Sequence, residues 1–232
     1  MLFPTTQWNH LAEASLSGGE SARAALDALC RQYWHPVFQA FRARLATDQQ
    51  AEDATQGFFL HIMKTSFFRQ ADPLRGKFRS FLSVALRRYV IQHFDRKASR
   101  QRRMGAQEVS LDEAGPDVLG QEGPADLIFD REWALATLEA TLQRLKVEYE
   151  LSRGPGSFAV IKTFLPSSQM ALPDYQSAAA QLHTTPPALR VEVHRVRRQF
   201  RQLLRREIAR TVSAPHEIEE ELQHLKNVLT HE

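Results

Sequence analysis

The chain has 232 residues, of which 43% are hydrophobic and 25% charged, which suits one large or two small globular domains. The formal net charge is only +3, but the cations are concentrated in two segments. Seven Lys and Arg residues lie between positions 87 and 103, and eight lie between positions 190 and 210. Two separate basic segments favour a long polyanionic partner over an anionic membrane surface.

Several other classes of protein do not fit the sequence. The single cysteine, Cys30, cannot form an intrachain disulfide. Residues 1–14 lack the basic start and apolar run of a signal peptide, and no stretch approaches the ~20 apolar residues that span a bilayer. No glycine-rich phosphate loop, zinc-ligand spacing or nucleophile elbow occurs. We therefore expect a cytoplasmic protein that is not an enzyme, binds no membrane and needs neither a cofactor nor a metal ion.

Helical periodicity runs along almost the whole chain, so the predicted fold class is all-α. The predicted helices cover residues 21–34, 36–46, 48–65, 77–102, 127–152, 157–165, 174–183, 186–210 and 215–230. Residues 104–130 contain seven acids, four glycines and no Lys or Arg, which predicts an acidic flexible linker. The linker would join two helical domains, 1–103 and 131–210, and residues 211–232 would form an acidic tail helix.

The helix predicted over 48–65 carries a polar face. Glu52, Asp53 and Gln56 cluster there at helical spacing, beside an apolar line through Phe59. Clustered carboxylates can indicate a metal or acid–base site, but no His or Cys partner is near in sequence. A solvated or partner-binding face is therefore the preferred interpretation.

The helix predicted over 77–102 interleaves aromatic residues with cations. Such a pattern suits single-stranded nucleic acid, because cations follow the phosphates while rings stack on unpaired bases. The alternative is a helix whose aromatic residues belong to a core. The residues concerned are Arg79, Arg87, Arg88, Tyr89, His93 and Phe94.

Residues 172–204 predict two helices joined by a tight turn, with the second helix rich in arginine. Its apolar stripe is formed by Leu189, Val193, Val196, Phe200 and Leu203, and the neighbouring face by Arg190, His194, Arg197, Arg201 and Arg205. Thr185 suits the N-cap and Pro186 the first turn. The layout is that of a helix-turn-helix, whose second helix enters the DNA major groove. The alternative is a solvated arginine-rich helix on an ordinary helical domain.

The tail has an apolar stripe that needs a partner. Ile218, Leu222, Leu225 and Leu229 recur at helical spacing, and acids crowd the start of the helix. One interpretation docks this helix onto the C-terminal domain as an extra core helix. The other folds it back near the arginine-rich helix, where its acids would compete with DNA.

Taken together, the two halves resemble the extracytoplasmic-function (ECF) sigma factors of bacterial RNA polymerase, in a longer planctomycete-type subgroup. The first half is similar to their region two through AEDATQGFF, DPLRGKFRSFL and LRRYVIQHFDRKASRQRR. The second half is similar to region four through YQSAAAQLHTTPPALRVEVHRVRRQFRQLL. The resemblance implies a factor that binds core RNA polymerase and directs promoter recognition and melting. An anti-sigma protein is a further candidate partner.

The resemblance also implies three sites. Polymerase binding would fall to Glu52, Asp53, Gln56 and Phe59. Binding of the −10 DNA would fall to Arg75, Lys77, Arg79, Arg87, Arg88, Tyr89, His93, Arg96 and Lys97. Binding of the −35 DNA would fall to Thr185, Arg190, His194, Arg195, Arg197, Arg198 and Arg201.

The sequence departs from the family pattern at several positions. Gly57 stands where an acid is usual, Arg88 where Asn is common, and His183 where the turn usually has glycine. Residues 153–170 look like an insertion. Two other functions stay open: a helix-turn-helix regulator that acts without polymerase, and an adaptor that binds a partner protein and has no role on DNA.

Overall fold

The computed structural model describes residues 20–64, 77–103, 124–165 and 174–230, without the side chains of residues 20–26, 28, 29, 63, 64, 91–103, 124 and 125. All regular structure in these ranges is helical, which confirms the all-α fold class. The helices are α1 (Glu20–Arg42), α2 (Asp48–Lys64), α3 (Phe78–Arg103), α4 (Pro124–Arg153), α5 (Ser157–Lys162), α6 (Tyr175–Gln181), α7 (Pro186–Ala209) and α8 (Pro215–Thr230).

Helix α1 continues through Pro36, so the predicted break between residues 34 and 36 is wrong. A proline inside a helix removes one backbone hydrogen bond and usually kinks or ends it. Here Tyr33 and Val37, on either side of the proline, are both fully buried. Packing of this face against the core outweighs the local preference of proline.

Helices α1, α2 and α3 share an aromatic core. The ring of Phe41 meets that of Phe58 edge-on at 6.3 Å, and Trp34 stacks on Phe59 at 5.6 Å. Gly57 allows the close approach of α2 to α3, because a Cβ atom at this position would lie 2.5 Å from the Tyr89 hydroxyl oxygen. The glycine therefore has a packing role at the position where the resemblance leads one to expect an acid.

Helix α4 begins inside the predicted linker. Asp126 and Asp130, from its first turns, are buried and pair with Arg87 and Arg79 of α3 at 3.1 and 2.7 Å. The prediction of a flexible linker is therefore wrong for residues 124–130, and residues 104–123 lie outside the described part of the chain. These aspartates neutralise buried Arg79 and half-buried Arg87, a role that composition alone does not reveal.

The chain divides into two compact units. The first unit comprises the described residues of Met1–Ala136 and Ala209–Glu232, and the second unit comprises Thr137–Ile208. Helix α8 belongs to the first unit, where its Glu221 pairs with Arg79. The predicted docking of the tail onto the C-terminal domain as an extra core helix is therefore wrong, and its predicted proximity to the arginine-rich helix stays a prediction.

The second unit has its own core, built from α4, α5, α6 and α7. The segment after Gly156 supplies four of its buried side chains, namely Phe158, Ile161, Phe164 and Leu165. They pack with residues of α7 such as Leu189 and Val196. The described part of the segment interpreted as an insertion, up to residue 165, is thus a constituent of this core. Residues 166–170 lie outside the described ranges.

Candidate nucleic-acid interface

Helix α6 has a defined start in front of the arginine-rich helix. The carboxylate of Asp174 accepts hydrogen bonds from the backbone N–H groups of Gln176 at 2.9 Å and Ser177 at 3.0 Å. These two bonds lower the pKa of Asp174. Sequence reasoning missed this cap, although an aspartate directly before a helix is a recognisable signal for one.

The connection from α6 to α7 is a Schellman turn. The Thr184 N–H donates to the Ala179 carbonyl oxygen at 2.9 Å, and the His183 N–H donates to the Ala180 carbonyl oxygen at 3.2 Å. His183 adopts a left-handed conformation with φ of 51°, the conformation for which glycine is favoured. Thr185 then caps α7 as predicted, since its hydroxyl oxygen accepts from the Ala188 N–H at 3.4 Å.

The two acidic residues of α7 face the interior of the second unit. Buried Glu192 accepts two hydrogen bonds from the Arg153 guanidinium, at 2.8 and 2.5 Å, and one from the Tyr149 hydroxyl at 2.8 Å. Glu207 pairs with Arg144, another residue of α4. Burial of Tyr149, together with its bond to this carboxylate, raises the pKa of the tyrosine. The cations of α4 thus neutralise the acids of α7.

The outward side of α7 is consequently basic. The exposed residues predicted to bind the −35 DNA are Thr185, Arg190, His194, Arg195, Arg197, Arg198 and Arg201. The Arg190 guanidinium lies over the ring of Tyr175 at 5.4 Å, so α6 orients this side chain. Arg197 is held differently, because its Nε donates to the Phe164 carbonyl oxygen at 2.8 Å. Sequence reasoning identified neither contact, since both join residues far apart in the chain.

The residues predicted to bind polymerase do not all lie at the surface. Glu52, Asp53 and Gln56 are exposed on α2, as the polar pattern indicates. Phe59 is buried and stacks on Trp34, because it belongs to the aromatic core. The exposed face of α2 therefore consists of the acids and the amide, without the phenylalanine.

Three cations predicted to contact −10 DNA are engaged by carboxylates within the first unit. Buried Arg79 donates to Glu221 at 3.0 and 3.1 Å and to Asp130 at 2.7 Å, and it stacks over Trp133 at 5.2 Å. The Lys77 Nζ lies 2.9 Å from Glu220. The third cation, Arg87, pairs with Asp126 as described above. Arg79 is thus held by these carboxylates with only 10% of its side chain exposed, which leaves little surface to contact DNA.

The remaining members of that set divide into three groups. Tyr89 is half-buried, and its ring packs against those of Phe41, Phe58 and His61 at 6.0, 5.5 and 5.5 Å. Burial raises its pKa. Arg88 is exposed. The members outside the described residues or side chains are Arg75, His93, Arg96 and Lys97.

Comparison of the chain with protein-family models, with curated proteins and with solved structures found no match. Among the described residues, no helix is both long and apolar enough to cross a bilayer. In the same residues, no three His, Cys, Asp or Glu side chains converge where a metal ion could bind.

Proposed function

We propose that the chain is a sigma factor that binds core RNA polymerase and directs promoter recognition and melting. The exposed basic face of α7 carries this proposal. It follows a short helix and a four-residue turn, which is the layout of a helix-turn-helix whose second helix enters the major groove. Arg190, near the start of α7, lies where base contacts concentrate in this motif.

The distribution of charge on α7 supports binding to duplex DNA. Its two acids point inward and pair with Arg144 and Arg153, so they do not repel phosphates from the outward side. Arginines on that side supply salt-dependent affinity for the DNA backbone, while contacts to base edges supply sequence preference. Region-four-like recognition of a −35 element would use this combination.

The first unit would contact polymerase and the −10 element. The exposed residues Glu52, Asp53 and Gln56 of α2 offer a polar face for polymerase. Because Lys77, Arg79 and Arg87 pair with carboxylates, the −10 contact would move to Arg88 and the basic residues that follow it on α3.

Run-off transcription on a library of genomic fragments tests the proposal. Core polymerase and the protein, added together, should start transcription at a subset of fragments where neither does so alone. A protein that binds duplex DNA but neither co-elutes with core polymerase nor initiates on any fragment would instead be a helix-turn-helix regulator. If the protein is instead an adaptor with no role on DNA, the affinity of any DNA binding should change little with salt concentration.

Two single substitutions on α7 test whether one arginine of its basic face recognises a base while another contacts phosphate. Arg190→Ala should relax preference at one base position, at a cost of about 1–3 kcal/mol, because arginine suits bidentate contact with guanine. Arg201→Ala, further along the helix, should weaken binding to all sequences alike through a lost phosphate contact. Identical base-preference profiles for the two variants would show that the residues do not divide these roles.

A further inference from the structure

Two aromatic rings of the second unit lie beside the basic face of α7, and neither belongs to the residues assigned to DNA binding above. Tyr175, the first residue of α6, is half-buried, and the centre of its ring lies 4.6 Å from that of Phe164. Phe164 is buried in the core of the second unit, and Tyr175 packs against the same core. The pair therefore holds an aromatic surface in a fixed place next to Arg190.

Phe164 comes from the segment 153–170, which the sequence marks as an insertion. It directly follows α5, and its N–H donates to the Ile161 carbonyl oxygen at 3.1 Å, which fixes the backbone there. The Phe164 carbonyl oxygen accepts a hydrogen bond from Nε of Arg197 at 2.8 Å. One residue of the inserted segment thus contacts both the Tyr175 ring and the Arg197 side chain.

The contact between Arg190 and Tyr175 is compatible with recognition of a base. Arg190 and Arg197 are seven residues apart, close to two turns at ~3.6 residues per turn, so both lie on the face proposed to meet DNA. The guanidinium carbon of Arg190 lies over the Tyr175 ring, 5.4 Å from its centre. Attraction of a cation to a ring face uses no hydrogen-bond donor of the guanidinium. The contact therefore takes none of the N–H groups that would bond O6 and N7 of a guanine.

Prior orientation of Arg190 makes its contact with a base more selective. An arginine side chain has many rotamers, and fixing one of them on binding costs conformational entropy. A ring that already holds the guanidinium in one place lowers that cost for the base pair within its reach, and not for its neighbours. We propose that Tyr175 is a positioning residue for sequence recognition, whose ring, supported by Phe164, directs Arg190 to one base pair. This inference rests on the proposed binding of duplex DNA by α7.

The test measures how well the full chain discriminates between two duplexes. Selection from a randomised duplex library gives the preferred duplex, and the second duplex is altered at the base pair where Arg190→Ala relaxes preference. Fluorescence anisotropy gives the ratio of the two affinities. Tyr175→Leu should lower this ratio about two- to fivefold, the effect of losing an exposed cation–π contact, and Tyr175→Phe, which keeps the ring, should retain it. In the Arg190→Ala chain, Tyr175→Leu should not change the ratio further, because the two residues act through one contact.

Phe200→Leu is the matched control for a purely structural effect. Phe200 is half-buried against the same core, so loss of its ring should lower the melting temperature without changing the ratio of affinities. Thermal melting followed by circular dichroism checks that each variant folds, and Tyr175→Met repeats the comparison should the leucine variant unfold.

Three results would overturn the inference alone: an unchanged ratio in Tyr175→Leu, an equal loss in Tyr175→Phe, or an equal loss in Phe200→Leu. A preference that Arg190→Ala relaxes at no position would overturn it as well. An unmodified chain that binds no duplex would instead overturn the proposed function, and this inference with it. The two failures are therefore distinguished by whether the unmodified chain binds duplex DNA.

Discussion

Glu221→Gln should strongly destabilise the first unit, although Glu221 lies in the last helix of the chain. The carboxylate is fully buried and accepts two hydrogen bonds from Arg79, at 3.0 and 3.1 Å. Removing one partner of a buried ion pair costs about 3–5 kcal/mol, because the other charge stays buried without compensation. Arg79 keeps its bond to Asp130 at 2.7 Å, so we expect a loss at the low end, about 3 kcal/mol.

Urea unfolding followed by tryptophan fluorescence measures this effect, since the described tryptophans, Trp34 and Trp133, both lie in the first unit. A loss of about 3 kcal/mol should lower the midpoint by about 1–3 M urea. The control is Glu220→Gln, the same chemical change at the neighbouring residue, whose exposed carboxylate pairs with Lys77. It should leave the midpoint nearly unchanged, since exposed ion pairs contribute little. Equal midpoints for the two variants would refute the role assigned to Glu221.

Acidification should destabilise the first unit. Burial disfavours the charged form of Asp130, but the hydrogen bond from His224 and the charge of Arg79 outweigh it and hold the pKa of Asp130 below its usual value. The stabilising contribution of the Asp130 carboxylate is therefore complete above the unfolded pKa of ~3.9 and is lost as the pH falls through the folded pKa. When the urea midpoint is plotted against pH, Asp130→Asn should flatten the acidic part of the curve. His183→Gly should raise the free energy of unfolding by about 0.5–1 kcal/mol, because the left-handed backbone strain of about 1–2 kcal/mol that it removes exceeds the ~0.4–1 kcal/mol entropic cost of glycine. Calorimetry measures the change, and a lower melting temperature would contradict it. Gly57→Ala should lower the free energy of unfolding by about 1–3 kcal/mol, because the new methyl group overlaps the Tyr89 hydroxyl. Adding Tyr89→Phe to the same chain should recover most of this loss. If the losses of the two single variants simply add, that contact is not the cause.

The sequence predicts the helices well because their signal is local. Caps and apolar spacing place α3 and α7 within about two residues of their observed bounds. Where the prediction fails, distant packing decides the structure. Burial of Tyr33 and Val37 carries α1 through Pro36, and pairing of Asp126 with Arg87 extends α4 into the acidic segment. Composition indicates that a segment is acidic, but not that its acids face buried arginines.

The same limit explains the position of α8. Its amphipathic pattern requires an apolar partner, yet many surfaces satisfy that requirement. The more specific signal is a charge inside an apolar stripe. Glu221 lies between Ile218 and Leu225 on one face of α8, and Arg79 shares its face of α3 with Leu82. Neither charge can be buried alone, because an uncompensated buried ion is strongly destabilising.

Opposite charges in two apolar stripes therefore indicate which helices meet. On α7, Glu192 lies between Leu189 and Val196 in the same way, and the structure pairs it with Arg153 of α4. The acids of α7 and α8 thus fix the neighbours of their helices. Exposed arginines of α7 such as Arg190 and Arg201 lie outside the apolar stripe, and these are the residues proposed to bind a partner. A charge inside the apolar stripe fixes a neighbouring helix, whereas a charge outside the stripe does not. The contrast between Glu221→Gln, inside the stripe of α8, and Glu220→Gln, outside it, tests this difference directly.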